Sequence, residues 1–166
     1  STAAICCGGG LPPSSSPDKS DLSETWNGSS WSEGNDMNTR REQMGVGSTP
    51  ATAGLVFGGQ GNPPAPSMTG AAETYNGTSW TEVADLNTGR YLLAGAGTST
   101  AAIAFGGNTD PGLKDLTESW NGSSWTEVND LNTARDSLYG FGTNASAIAF
   151  GGYASTAKDL TEDWNG

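Results

Sequence analysis

A short pattern recurs along the whole chain, and it constrains the fold more than any other feature. The triplet Trp-Asn-Gly stands at Trp26–Gly28, Trp120–Gly122 and Trp164–Gly166, with a Tyr variant at Tyr75–Gly77, at spacings of 49, 45 and 44 residues. A second Trp follows five positions later at Trp31, Trp80 and Trp125. A diglycine recurs at Gly8-Gly9, Gly58-Gly59, Gly106-Gly107 and Gly151-Gly152, each time after an apolar run (AICC, GLVF, AIAF, AIAF). Asp36, Asp85 and Asp130 each open a D-[ML]-N-T segment, and we align the Arg that follows as Arg40, Arg90 and Arg135. A period of roughly 45 residues marks one supersecondary unit that cannot hide its apolar face alone and must stack on its neighbours.

One unit reads as four short strands. From Arg90, RYLLAGAGTS supplies a narrow Gly/Ala strand suited to a crowded inner position, and TAAIAFGG an apolar second strand. After the variable loop NTDPGLKD, LTESWNG alternates so that Leu116, Glu118 and Trp120 share a face, and SSWTEV closes the unit. Asn-Gly between the last two strands predicts a tight type I′ hairpin, which requires positive φ at both central residues.

A diglycine after an apolar strand, an aromatic some dozen residues on and a Trp opening the fourth strand together resemble the kelch repeat. They also resemble the near-identical kelch-like arrays of phage and marine environmental sequences. The resemblance covers essentially the whole chain. It implies an all-β fold: a kelch-like β-propeller of about four blades of four short antiparallel strands, with no single function attached. Approximate units are 1–39 (incomplete), 40–89, 90–134 and 135–166 (incomplete), within one partial propeller domain, 1–166. The expected strand counts are three, four, four and three. The remainder of a larger ring then comes from a longer propeller, another copy or another chain; otherwise a small ring closes with a defective blade, or the array is an open arc. The chain starts at Ser1, which is expected of a processed, trimmed or partial gene product.

Composition narrows the function classes. Eighteen Asp and Glu against seven Lys and Arg give a net charge of −11, which repels phosphate backbones and anionic membrane surfaces. No apolar stretch approaches the roughly 18 residues of a membrane-spanning helix, and no signal segment is apparent. Nucleic acid and membrane insertion are therefore not expected. There is no His, which removes the commonest general base and transition-metal ligand. The recurring Arg and the recurring Glu each appear once per unit, whereas a reaction happens at one place. Neither a catalytic residue nor a cofactor or metal is expected, and the chain is read as a non-enzyme.

Candidate sites are weighed accordingly. Asn27, Asn76, Asn121 and Asn144 match the N-glycosylation pattern, but turn chemistry accounts for the first three. Asp36, Asp85 and Asp130, with Asn38, Asn87 and Asn132, offer oxygen ligands for calcium, against a plainer role in Asx turns between units. Arg40, Arg90 and Arg135 are expected to bond recurring glutamates (Glu24, Glu73, Glu118, Glu162) or backbone between neighbouring units. The aromatics Trp26, Tyr75, Trp120 and Trp164, with Trp31, Trp80 and Trp125, are read as packing rather than as sugar platforms. Gly58, Gly59, Gly106, Gly107, Gly151 and Gly152 belong to the same structural repeat. Cys6 and Cys7 are read as buried thiols; as sequence neighbours they cannot staple distant segments.

The loops after the diglycine vary most: 10–20, 60–69, 108–115 and 153–158. They are expected on one side of the molecule, with Pro12, Pro13, Pro63, Pro64, Asp110 and Tyr153 as candidate binding positions. Variation on a fixed frame is how binding surfaces are built. The leading expectation is a structural or receptor-binding appendage that is extracellular or virion-associated and makes protein contacts. The alternatives are a lectin-like glycan binder and, behind it, a carbohydrate-active enzyme.

Overall fold

A computed structural model describes residues 3–12, 19–47, 51–61 and 68–166. These form strands and connections, with no helix. The first sheet holds β1 (Ala4–Cys7), β2 (Ser23–Trp26) and β3 (Trp31–Glu33). A short β4 (Arg41–Glu42) leads into the second sheet, β5 (Gly45–Gly47), β6 (Gly54–Phe57), β8 (Ala72–Tyr75) and β9 (Trp80–Val83), and pairs with β7 (Gln60–Gly61). The third sheet holds β10 (Ala94–Gly97), β11 (Ala102–Phe105), β14 (Thr117–Trp120) and β15 (Trp125–Val128). Its long loop folds into a ribbon of β12 (Asn108–Thr109) and β13 (Gly112–Leu113). The fourth sheet holds β16 (Tyr139–Thr143), β17 (Ser146–Phe150) and β20 (Thr161–Trp164), with a ribbon of β18 (Tyr153–Ala154) and β19 (Thr156–Ala157). All pairings are antiparallel between successive strands of each sheet.

Alternation along each second strand assigns its side chains to two faces. Leu55 and Phe57 of β6 point forward and meet Ala102, Ala104, Trp120 and Trp125 of the next sheet. Ile103 and Phe105 of β11 meet Ala147, Ala149 and Leu138 in the same way. Ile5 and Cys7 of β1 lie against the cluster of Val56, Tyr75 and Trp80. The sheets therefore stack face to face in chain order, and the core is the series of seams between them.

The narrow strands β5, β10 and β16 lie side by side. Their small residues follow from that closeness: a Cβ on Gly95 would sit 2.6 Å from the Val46 carbonyl oxygen, and one on Gly140 would sit 2.7 Å from that of Gly95. The diglycine stitches each sheet to the next. Both glycines take positive φ (Gly58 67°, Gly59 102°), which L side chains rarely adopt. The second donates its N–H forward to the carbonyl of an arginine: Gly9 to Arg41, Gly59 to Arg90 and Gly107 to Arg135, each at 2.9 Å.

The structure corrects one expected turn. Trp26 pairs with Trp31, Tyr75 with Trp80 and Trp120 with Trp125, so four residues, not two, connect those strands. Only the glycine of each Asn-Gly has positive φ. The Asn side chain instead closes the loop: Asn121 Oδ1 accepts from the N–H groups of Ser123 (2.9 Å) and Ser124 (3.0 Å). A type I′ turn is excluded because the second Trp must reach the register opposite the first.

Candidate functional site

Every connector between sheets delivers one arginine into a fully buried slot. Arg41, Arg90 and Arg135 are all 0% exposed. Arg41 meets Glu73 and Arg90 meets Glu118 at 2.5 Å, and Arg135 pairs with Glu162. The other carboxylate oxygen accepts from the connector: Asn38 N–H to Glu73 and Asn87 N–H to Glu118, both at 2.7 Å, and Asn132 N–H to Glu162 at 2.6 Å. Each clamp thus pins an incoming connector to the third strand of the sheet it enters. The bond is made within one unit rather than across neighbouring units.

One expected residue is displaced. Arg40 is not the repeat's arginine; it is exposed and pairs with Asp21 at 3.2 Å. Arg41, five positions after Asp36, holds the place of Arg90 and Arg135 and fills the slot beside Glu73. The tandem Arg40-Arg41 hid the offset. Glu24, at the matching position on β2, is exposed.

Electrostatics follow from burial. Burial pushes the Arg41 guanidinium below its ordinary value, and the Glu73 carboxylate opposes that shift. Burial acts to raise the Glu162 carboxyl, but hydrogen bonds from Arg135 and Asn132 and the Arg135 charge outweigh it, leaving Glu162 below the usual carboxylate range. Each arginine keeps a buried Nε with no hydrogen-bond partner, and Arg90 also Nη2; with the clamp repeated three times, these groups form no singular acid–base pair.

The aromatics occupy the seams. Trp120 is 1% exposed and Trp125 6%. Their indole N–H groups donate to the carbonyls of Ser99 (3.0 Å) and Ala84 (3.1 Å). Trp80 donates to Ser23 Oγ at 3.4 Å and Trp164 to the Asn144 carbonyl at 2.8 Å. Trp26 and Trp31 form the same pair on the first sheet, but Trp31 is 50% exposed. Cys7 packs at the first seam, where burial pushes its thiol up to about 12. Cys6 is exposed, contrary to the expectation of two buried thiols: it points to the face of the first sheet that, among the described residues, no other sheet covers. Both cysteines are free.

The acceptor-pattern asparagines Asn27, Asn76 and Asn121 are exposed and serve as loop caps. Asn144 differs, because its amide donates to the carbonyls of Ala102 (2.5 Å) and Trp120 (3.0 Å) and to Ser119 Oγ (2.9 Å). Asp130 Oδ1 accepts from the Thr117 N–H at 3.0 Å. Among the described residues, no three His, Cys, Asp or Glu side chains cluster as metal ligands, and no helix is long and apolar enough to cross a membrane.

The variable loops are tied to the connectors along one rim. β7 pairs with β4, Asn108 bridges Tyr91, and Tyr153 bridges Asp136. Asn108 Nδ2 also donates to Asp136 Oδ2 on the next connector at 3.0 Å, and two neighbouring loops touch where the Asp110 N–H donates to Met68 Sδ at 3.0 Å. Pro12 and Asp110 are exposed and Tyr153 is half exposed. Pro13, Pro63 and Pro64 lie outside the described residues.

Beside this rim lies a shallow cavity of about 320 Å³ lined by Gln43, Leu92, Ser137 and adjoining residues. These three have positive φ (56°, 55° and 54°) and form a relay, Leu92 N–H to the Gln43 carbonyl at 2.8 Å and Ser137 N–H to the Leu92 carbonyl at 2.9 Å. Sequence reasoning missed them. Their only signal is position, two residues after each buried arginine, since Gln, Leu and Ser share no chemistry and none is the glycine such a conformation favours.

No family model matches the chain, and no curated protein matches it in sequence. In three dimensions the chain is similar to the solved structure of YjhT, with a TM-score of 0.69 and 17% identity. The match covers 87% of this chain and 49% of that one, so the chain spans about half the length of its structural neighbour. At this identity the likeness establishes the all-β fold alone.

Proposed function

We propose that the four sheets are blades of a kelch-like β-propeller and that the chain is a non-catalytic scaffold. It binds protein partners through the loop rim, outside the cell or on a virion. Antiparallel sheets of three or four strands stacked in chain order, with narrow strands gathered on the inside, support the propeller reading. One observation carries the binding reading. The described parts of the segments that differ most between units lie beside the connectors on a rim whose backbone is fixed by repeated hydrogen bonds. A frame held by three corresponding clamps tolerates changes in those loops at little cost, which is how one scaffold comes to display many surfaces.

The test is a screen of the chain against protein and glycan arrays beside a variant carrying Asp110→Ala and Tyr153→Ala. A protein ligand whose binding falls at least tenfold in the variant, with tryptophan emission unchanged, is the expected outcome. Binding to glycans alone would replace the protein-partner reading with a lectin one. Polysaccharide hydrolysis abolished by one carboxylate substitution would overturn both.

A further inference from the structure

Three loops in matching register carry an asparagine folded back over the peptide that follows it. Asn27, Asn76 and Asn121 each precede a glycine, and each stands exposed in the connection between the last two strands of its sheet. The side-chain oxygen accepts the N–H groups two and three residues on. These are Ser29 and Ser30 at 2.9 and 3.0 Å, Thr78 and Ser79 at 2.9 Å each, and Ser123 and Ser124 at 2.9 and 3.0 Å. The side-chain nitrogen donates to the hydroxyl of Ser30 (3.2 Å), Ser79 (3.3 Å) or Ser124 (3.2 Å). The ring closed by the first of these bonds contains the glycine nitrogen, so Asn Cγ is held beside the peptide that could attack it. Gly28, Gly77 and Gly122 are exposed, and among the described residues their N–H groups have no hydrogen-bond partner.

An amide carbon resists attack until the charge that develops on its oxygen is stabilised, and N–H donors aimed at that oxygen supply the stabilisation. Here the donors are in place before any reaction. The serine hydroxyl beside Nδ2 lies where ammonia must leave, and it can hand that nitrogen a proton. The fold also retains the reactive pair. Gly28, Gly77 and Gly122 have positive φ (101°, 94° and 95°), and a Cβ on Gly122 would sit 3.1 Å from the Thr100 carbonyl oxygen. A side chain that would shield the attacking nitrogen is therefore not accommodated.

We propose that Asn27, Asn76 and Asn121 are sites of self-catalysed deamidation, at which the folded loop accelerates attack of the glycine nitrogen on the side-chain amide before it. Hydroxide takes the proton of the glycine N–H, and the bond from that nitrogen to Cγ forms. The bond from Cγ to Nδ2 breaks, and ammonia leaves with a proton from the serine hydroxyl, which regains one from water. Water then opens the cyclic imide at either carbonyl, giving aspartate or its β-linked isomer. Aspartate keeps the loop, because its carboxylate accepts the same two N–H groups. The β-linked product lengthens the backbone between residues as directly paired as Trp120 and Trp125, and it loses their register. The three sites are graded. Ser29 Oγ and Ser123 Oγ add a third bond, at 2.9 Å, to the oxygens of Asn27 and Asn121, whereas among the described residues the Asn76 oxygen accepts the two N–H groups alone.

Peptide mapping by mass spectrometry tests this on the whole chain, held at mildly alkaline pH in buffer and in urea that unfolds it. Conversion of amide to acid, with β-linked aspartate among the products, should concentrate at the three loops. It should run about threefold or more faster in the folded chain than in urea, well below the roughly 10²-fold effect of one donor in a closed active site, because water shares the oxygen of an exposed loop. Asn27 and Asn121 should outpace Asn76 in the folded chain, and the three rates should converge in urea. Asn144, which precedes Ala145 and donates its amide to three acceptors, should stay intact. Ser123→Ala removes the third bond at one site. Asn121 should then slow to the pace of Asn76 in the same molecule, with Asn27 unchanged. Ser123 is exposed, so the variant is expected to fold with unchanged circular dichroism. Slower conversion in the folded chain than in urea, equal rates at the three folded loops, or an Asn121 rate unmoved by Ser123→Ala would each overturn the proposal. None of these results bears on the loop rim, whose test uses Asp110 and Tyr153.

Discussion

At the scale of single residues, each connector is fixed by one fully buried arginine paired with a glutamate. Arg90 and Glu118 are both excluded from water, and Glu118 also receives the Asn87 N–H and side-chain amide. Removing one member of a buried pair strands the other charge, which typically costs about 3–5 kcal/mol. Glu118→Gln should therefore lower unfolding stability in urea by that amount, whereas Arg40→Gln, at an exposed pair, should change it by less than about 0.5 kcal/mol. Equal losses at the two positions would mean that the exposed Arg40–Asp21 pair holds the chain as firmly as the buried clamp does.

Glu162 adds a pH dependence with a definite sign. Its carboxyl titrates below the ordinary range in the folded chain, so folding favours the charged form. That contribution is complete above the unfolded-state value and is lost as pH falls through the folded one. Between neutral pH and acid, the wild-type chain should lose stability that Glu162→Gln has already lost. The two urea midpoints should converge as pH drops below about 4. Curves that remain parallel throughout would show that the carboxylate is not held by Arg135.

At the scale of elements, the strand pattern was legible because period and composition agreed. Apolar alternation, the diglycine and the paired aromatics locate sheets of three, four, four and three strands, as the structure has them. What the sequence concealed were contacts set by register rather than by residue type. The Asn-Gly pair looks like a two-residue turn until the pairing of Trp120 with Trp125 is known. The ribbons β12–β13 and β18–β19 are too short to leave a periodic signal. The left-handed Gln43, Leu92 and Ser137 are forced by their bonds to one another. The narrow strands carry the clearest element-scale prediction. Gly95 has ordinary backbone angles, yet a Cβ there would press on the Val46 carbonyl and the Phe57 ring. Gly95→Ala should cost about 1–3 kcal/mol through overpacking. Thr126→Ala, on an exposed edge, should be neutral in the same urea titration.

At the scale of the whole molecule, stability should behave as a one-dimensional chain of seams. Each sheet touches only its neighbours, so total stability is a sum of sheet terms and seam terms. Among the described residues, the second and third sheets are covered on both faces, and the first and last on one. Amide exchange should therefore be slowest in β6, β8, β11 and β14, and faster in β1 and β17. Phe105→Ala empties the seam between the third and fourth sheets, where Phe105 is 2% exposed. Such a truncation typically costs about 3–5 kcal/mol. The loss should fall unevenly: exchange in β16, β17 and β20 should accelerate far more than in β2 and β3, which lie two seams away. A uniform acceleration across all four sheets would show instead that the stack unfolds as one cooperative body. The seams could then no longer be treated as separable units.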